Sequence, residues 1–432
     1  MRTLNLSALE VLQTIMLDFV FFSERLLWIL GLIFTIYMIY YIFFLPFAFS
    51  KKNSYKAHNP KCRFAIIIAA RNEQAVIANL IESLIAQDYP KDMFDVFVVP
   101  NNCTDNTEMV AREHGAKILK CTSPVSTKGQ VLEQIIRQLF KMSKHDAICV
   151  FDADNVVDSG FLRAMNNAWC SGAKAAQGFR DSKNPKDTYI SSSYSIYYWM
   201  VNRFYSHARS HAGLSAIING SGFMADMGLL KSMGGWKTKT MTEDIEFTTK
   251  CILSNVPVAW VPEALTYDEQ PLTFSQSWHQ RSRWSTGIYQ CLHYYSLPLI
   301  KGMFKNGFSG LRMNLDQLIF LLSPVLQLIW VLTIILGHFV RTISEHYGLS
   351  IGTPIFSRVI LSIVVSFILS CVMSIVVMIL ERKSFADMSV GILSYWFFIM
   401  SWFPINAVCL FFRTKEWKAI SHTRSVRVSE MK

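Results

Sequence analysis

Three short stretches hold residue types whose spacing suits one reaction. Thr242-Glu243-Asp244 sets two carboxylates side by side, and Gln280-Arg281-Ser282-Arg283-Trp284 follows after the acidic-proline segment Tyr267-Asp268-Glu269-Gln270-Pro271. A carboxylate beside an acceptor hydroxyl can take its proton. Arg283 can pair with a diphosphate, Gln280 can hydrogen-bond to phosphate or acceptor, and the face of Trp284 can stack on a ring. Asp152-Ala153-Asp154 adds two hard oxygen ligands of the kind that hold Mg2+ or Mn2+ against a diphosphate. Each stretch also has a plainer reading. Glu243-Asp244 suits the acidic first turn of a helix running to Cys251, which does not exclude catalysis, and an Asp pair suits a turn. Trp278, Arg281, Arg283 and Trp284 suit an amphipathic helix at a membrane interface. Arg281 is assigned to the surface.

The elements that must position these residues follow from the apolar pattern. Phe64 to Ala70 is a short continuous apolar run, as a buried parallel strand requires, and Arg71-Asn72-Glu73 stops it before a helical pattern from Ala75 to Ala86. Phe94 to Val99 is a second such strand, ending at Pro100-Asn101-Asn102-Cys103-Thr104-Asp105-Asn106-Thr107, from which a helix runs toward Gly115. Ala147 to Phe151 is a third, ending at Asp152. Strands alternating with helices imply right-handed crossovers and an open α/β sheet, whose ligands sit beyond the carboxyl ends of the strands. The three polar strand ends should therefore face one crevice. No glycine-rich phosphate loop precedes them, which argues against an ATPase or a dehydrogenase. Gln177-Gly178-Phe179-Arg180 and Gly234-Gly235-Trp236 are read as lining the donor and acceptor sides, or as turns.

Composition places this sheet beside a membrane. The chain has 432 residues, 51% hydrophobic, with 42 Lys and Arg against 31 Asp and Glu and a net charge of +11. Basic residues next to apolar spans follow the positive-inside bias, so the charge does not call for nucleic acid. Nine cysteines without CxxC pairs or zinc spacing read as reduced, mostly buried thiols. Residues 1–24 are interrupted by Glu10 and Asp18 and read as an interfacial segment; 25–50 are long and apolar enough to cross roughly 30 Å of hydrocarbon as an uncleaved anchor. Lys51, Lys52, Lys56, Lys61 and Arg63 then place a domain over 51–287 in the cytoplasm. Residues 288–313 read as interfacial helices. Residues 314–412 hold about three spans of length suited to a bilayer, in the runs Leu318 to Val340, Ile355 to Leu380 and Val390 to Phe412. The tail, 413–432, is basic. Three exits put it outside whereas its charge argues inside, so one run, with Pro404 in the last, reads as re-entrant or the tail as an exception.

Ala69-Ala70-Arg71-Asn72-Glu73, the Asn101 to Thr107 turn, Lys128-Gly129, Asp152-Ala153-Asp154, Gly220-Ser221-Gly222-Phe223, Thr242-Glu243-Asp244 and Gln280 to Trp284 come in the order found in family 2 glycosyltransferases. The chain resembles in particular the membrane-integrated synthases of hyaluronan, chitin oligosaccharides, cellulose and poly-N-acetylglucosamine, over roughly Arg63 to Tyr294. That resemblance implies an α/β fold, a glycosyltransferase-A type open sheet domain inserted between transmembrane helices of a multi-pass cell-membrane protein. It assigns Ala69, Arg71, Glu73, Asn101, Lys128, Asp152 and Asp154 to the UDP-sugar donor, with Asp154 as ligand of Mg2+ or Mn2+. Asp244 resembles the base of an inverting transferase, and Glu243, Gln280, Arg283 and Trp284 resemble the acceptor and diphosphate contacts. Where the family usually has Asp, Asn101 offers a carbonyl oxygen that accepts from uracil N3–H without charge. The activity so implied is repeated transfer to a β-linked polysaccharide exported through the protein's own helices, a process compatible with an accessory secretion protein. A single transfer to a membrane lipid shares every donor-site residue. A transporter with a cytosolic domain would need intramembrane charges that the sequence mostly lacks.

Overall fold

Uninterrupted burial on both faces marks β1 (Phe64–Ala70) and β2 (Phe94–Pro100) as inner strands. They pair in parallel with each other, β2 with the short β3 (Lys117–Ile118) and β1 with β4 (Ala147–Asp152). The sheet is completed by β5 (Val156–Val157), β6 (Ala175–Ser182), β7 (Phe223–Asp226) and β8 (Val258–Asp268), in the order β3-β2-β1-β4-β7-β6-β8-β5. β7 runs antiparallel to both β4 and β6, so β6 and β8 point the same way as β1 and β4. Alternate residues of β1 feed two cores, as the pleat requires. Phe64, Ile66 and Ile68 pack with Ile77, Leu80, Leu84 and Phe161, while Ala65 and Ile67 pack with Val131, Leu132 and Ile136 of the helix Lys128–Met142.

This computed structural model describes residues 2–52, 54–346 and 355–412, together with residues 426 and 430. Apart from those two, the basic tail lies outside the described residues. Among the described residues four helical stretches are long and apolar enough to cross a membrane: Thr14–Ala48, Gly307–His346, Ile360–Leu380 and Ser389–Phe411. The first belongs to one helix, Arg2–Ala48, that passes through Glu24 and Arg25 without the expected division. Neither residue breaks a helix, and Arg25 folds over the Phe21 ring at 4.2 Å. The expected interfacial stretch after Trp284 is the end of a single 30-residue helix, Phe274–Met303, that begins upstream of Gln280. The last apolar run is two helices, Ser389–Met400 and Trp402–Phe411, meeting at Ser401 rather than breaking at Pro404, which sits in the first turn where proline is tolerated.

Charged side chains fasten the sheet domain to these helices. Glu381, just beyond the helix Ile355–Leu380, receives Lys52 at 2.6 Å and Arg203 at 3.6 Å, and Lys383 pairs with Asp181 at the end of β6. Arg209 pairs with Asp316 of the helix Gly307–His346 at 3.0 Å, lies 3.7 Å above the Tyr205 ring, and shares the aspartate with Tyr40 of the first helix. Arg281 corrects the surface assignment. It is fully buried, donating to Phe398 O at 2.9 Å and Ser401 Oγ at 2.8 Å, because the break between the last two helices exposes carbonyls that need a donor. Trp236 is likewise a core residue, stacked on Phe247 and Phe223. All nine cysteines are free, and Cys62, Cys149, Cys251, Cys291 and Cys409 are buried.

Removing one member of a buried ion pair leaves the other charge uncompensated, at a cost of about 3–5 kcal/mol. Asp316→Ala is therefore expected to lower the thermal unfolding midpoint of the detergent-purified protein markedly. An unchanged midpoint would show that the Arg209–Asp316 pair does not fasten these helices.

Candidate active site

Beyond the carboxyl ends of β1, β2 and β4 lies a cavity of about 750 Å3. Ala69, Arg71, Glu73, Asn101, Lys128, Asp152, Asp154, Glu243, Asp244, Gln280, Arg283 and Trp284 line it, whereas of the segments Gln177 to Arg180 and Gly234 to Trp236 only Arg180 does. The loops after β1 and β2 are zipped together. Asn72 Oδ1 accepts from Thr104 N at 2.8 Å, Thr107 Oγ1 from Glu73 N at 2.9 Å, and Gln74 Oε1 from Asn106 N at 3.0 Å. Asn72 and Asn102 both take the left-handed backbone that asparagine tolerates.

Asp152 and Asp244 converge on Gly220. A Cβ added there would meet Asp244 Oδ2 at 3.4 Å and Asp152 Oδ2 at 4.0 Å, and φ of +92° favours glycine on its own. Lys128, first residue of a helix capped by Thr127, donates to Asp152 Oδ1 at 2.5 Å and to Gly220 O at 2.7 Å. Burial acts to raise the Asp152 carboxyl, yet Lys128, Arg180 and Arg283 hold it below its ordinary range. Asp244 goes the other way. Burial first, then the neighbouring Glu243, push it up to about 7 against the opposing pull of Ile245 N–H, Lys128 and Arg283. A carboxyl so poised can accept a proton near neutral pH.

The turn carrying Asp244 is held from the membrane side. Thr242 precedes the helix Glu243–Leu253 and packs against Gly287 of the helix Phe274–Met303, where an added Cβ would lie 2.3 Å from Thr242 Oγ1 and 2.8 Å from its Cβ. Gln290 Oε1 accepts from Met241 N at 2.9 Å. Glu246, fully buried, accepts from Lys239 N at 2.7 Å, Thr240 N at 2.8 Å and the Tyr295 hydroxyl at 2.6 Å. Glu246 was not singled out, although a third acid in the first turn after Thr242 is visible in the sequence.

The remaining walls hold Arg180, from a segment read as lining the site, and further residues that were not singled out. Arg180, at the end of β6, donates to Asp268 at 2.8 and 2.6 Å and to Asn219 O at 2.5 Å. Burial raises Asp268 to about 6 even against that guanidinium. Both side-chain amide atoms of Asn219, and Gln280 Oε1, are buried without a hydrogen-bond partner among the described residues, as groups awaiting a polar ligand are. The membrane-side wall is Tyr197, Tyr205, Ile288, Phe320, Trp402, Val408 and Cys409. Trp402 had no local signal, since it enters from the far end of the chain.

A divalent ion fits only with help from a ligand. Asp154 lines the cavity, where its Oδ2 accepts from Glu269 N at 3.1 Å and its Oδ1 from Asn155 Nδ2 at 3.3 Å. Among the described residues no three His, Cys, Asp or Glu side chains gather as a metal cage. One or two carboxylates completed by phosphate oxygens is the usual arrangement for Mg2+, and Asp152 and Asp154 meet it.

A family model described as glycosyltransferase like family 2 matches residues 60–287. A beta-monoglucosyldiacylglycerol synthase of Nostoc sp. is 29% identical over 60% of this chain and 55% of its own length. A poly-beta-1,6-N-acetyl-D-glucosamine synthase of Staphylococcus epidermidis is 24% identical over 63% of this chain and 65% of its own. The chain thus spans between about half and two thirds of these curated relatives, 55% and 65%. Among solved structures, the mannosyltransferase PcManGT from Pyrobaculum calidifontis, in complex with GDP-Man and Mn2+, superposes with a TM-score of 0.59 at 16% identity, over 91% of this chain and 100% of that one. The likeness extends to the fold.

Gly287→Ala is expected to shift Thr242 and with it Asp244. A displacement of about 1 Å can cost roughly a hundredfold in rate, so turnover should fall steeply while UDP affinity, read by titration calorimetry, stays near wild type. Equal losses in both would show that this contact supports the whole cavity rather than the turn.

Proposed function

Because this chain belongs to the glycosyltransferase like family 2, we propose that it transfers a sugar from a UDP-sugar, with inversion, to an acceptor hydroxyl presented at the membrane face of the cavity. The observation that carries this reading is the convergence of Asp152 and Asp244 on Gly220, with Trp284 in the same cavity. The nucleotide lies across the strand ends, with Asn101 accepting from the base, and Arg71, Glu73 and Lys128 beside the ribose and phosphates. Asp152 and Asp154 would hold Mg2+ or Mn2+ on the diphosphate, where the ion supplies charge neutralisation of the leaving group. Asp244 takes the acceptor proton as the acceptor oxygen bonds to the anomeric carbon. The bond from that carbon to the diphosphate oxygen breaks on the opposite face, its electron pair leaving with UDP. Arg283, within electrostatic reach of both Asp152 and Asp244, meets the charge developing between them. Glu243 orients its neighbour or the acceptor.

Repeated transfer to a growing β-linked polysaccharide, coupled to export through the apolar helices, is the reading we put first. It is supported by a ring-sized platform at Trp284 and by helices of spanning length, two of which, Gly307–His346 and Ser389–Phe411, contribute to the cavity wall. Transfer to a membrane lipid is the second. It is favoured by the apolar wall of Ile288, Phe320 and Val408, and the Nostoc relative is named for such a product. Purified protein in nanodiscs, given Mg2+ or Mn2+ and a panel of radiolabelled UDP-sugars, separates them by product size. A ladder or high polymer supports the first reading, and a single chloroform-soluble product the second.

Asp244→Asn is expected to lower transfer by about 10²- to 10⁴-fold while UDP still binds; retained transfer would remove Asp244 from the role of base. Since the active form is the carboxylate, activity should rise with pH through about 7 and level off above it. Glu243→Gln removes a negative neighbour that raises Asp244, so the midpoint of the acid limb should move to lower pH. Chelation by EDTA should abolish turnover, and added Mn2+ or Mg2+ should restore it; full activity in EDTA would exclude the ion from the site.

A further inference from the structure

The aromatic wall beside Trp284 is larger than the motif that flags it. Tyr197, Trp284 and Trp402 stand with ring centroids 6.4, 6.3 and 6.2 Å apart, a nearly equilateral triangle, and with interplanar angles of 21°, 23° and 35°. All three line the cavity and all three are half-buried, so their contiguous face is open on one side. Tyr194, edge-on to Trp284 at 6.1 Å and to Phe398 at 4.9 Å, backs the wall. From Tyr197 the wall continues to Tyr198 at 5.4 Å, and over Tyr198 lies the Arg180 guanidinium at 4.3 Å. The wall therefore leads from the membrane helices to the residues around Gly220.

Trp402 owes its place to the break at Ser401. The Arg281 guanidinium fills that break, and Ser285 Oγ meets Asn406 Oδ1 at 2.7 Å one turn further on. Tyr289 donates to Asn406 O at 3.1 Å. These bonds fix the first turn of Trp402–Phe411 against the helix that carries Trp284. A ring that served only to pack lipid would need no such fixture and would not face the cavity.

We propose that Tyr197 and Trp402 complete, with Trp284, a three-ring wall that receives the terminal pyranose of the acceptor, and that Trp402 is a specificity-determining residue of the transfer. This rests on the sugar-transfer reading given above. The C–H face of a pyranose is apolar, and an aromatic face covers it without competing for its hydroxyls, which stay available to Asn219 and Gln280. A patch of three rings supports a sugar together with the group behind it, so the wall selects on what the acceptor carries beyond its reacting unit.

The test uses membranes containing the full chain, the endogenous acceptor and labelled UDP-sugars. It reads the fraction of turned-over sugar found in transferred product rather than as free sugar. Trp402→Leu keeps apolar volume and loses the ring; Trp402→Phe keeps a ring. Trp402→Leu is expected to lower the transferred fraction by about fivefold or more, the scale of one lost ring contact, with UDP affinity near wild type. Trp402→Phe is expected to keep most of it. A wild-type partition in Trp402→Leu overturns the proposal, as does a loss of UDP affinity in step with transfer, which would mark a packing role. Failure of the underlying reading appears elsewhere, as a wild-type chain that neither binds UDP nor turns over any UDP-sugar.

Discussion

Two carboxylates brought to one point repel each other, and much of the cavity is arranged around that repulsion. Asp152 and Asp244 share Gly220 as their meeting place, where a φ of +92° favours glycine. Lys128 stands between the strand-end aspartate and the Gly220 carbonyl, and Arg180 and Arg283 reach the same charge from β6 and from the helix Phe274–Met303. The result is asymmetric. Cations stabilise Asp152 as an anion, while burial and Glu243 leave Asp244 ready to gain a proton. Two groups of one chemical type are thereby given two tasks by their surroundings.

That arrangement spans the boundary between sheet and membrane helices. The turn carrying Asp244 is gripped through Gly287, Gln290 and Tyr295, all on one helix that also carries Gln280, Arg283 and Trp284. The Asp244 turn and the stretch from Gln280 to Trp284 are thus referred to a common rod. Lys52 and Arg203 on Glu381, and Lys383 with Asp181, tie the segment that follows the helix Ile355–Leu380 to the sheet side of that boundary.

Much of this was legible in the sequence for a physical reason. Parallel strands buried on both faces leave unbroken apolar runs, and the polar residues that end them must sit at the same edge of the sheet, so Arg71, Asn101 and Asp152 declared one crevice. What stayed hidden depends on contacts between distant segments. Arg281 reads as a surface residue until the carbonyls at Phe398 and the Ser401 hydroxyl are placed beside it. Trp402 is one aromatic among many in an apolar run, and Trp236 follows two glycines yet fills the core between Phe223 and Phe247. Residues 1–24 showed charges that suggested a separate segment, but helix continuity is decided by the backbone, and nothing there interrupts it.

The guanidinium plugged into the helix break at Ser401 joins two distant parts of the chain. Arg281 sits among the signature residues, whereas the carbonyl and hydroxyl that satisfy it belong to the end of the chain. A fragment trimmed to the sheet domain would expose a cationic socket where a helix had been, and a graft of a foreign final helix would need its own break in the same register. Sheet domain and closing helix therefore depend on each other for the burial of one charge, which neither could accommodate alone.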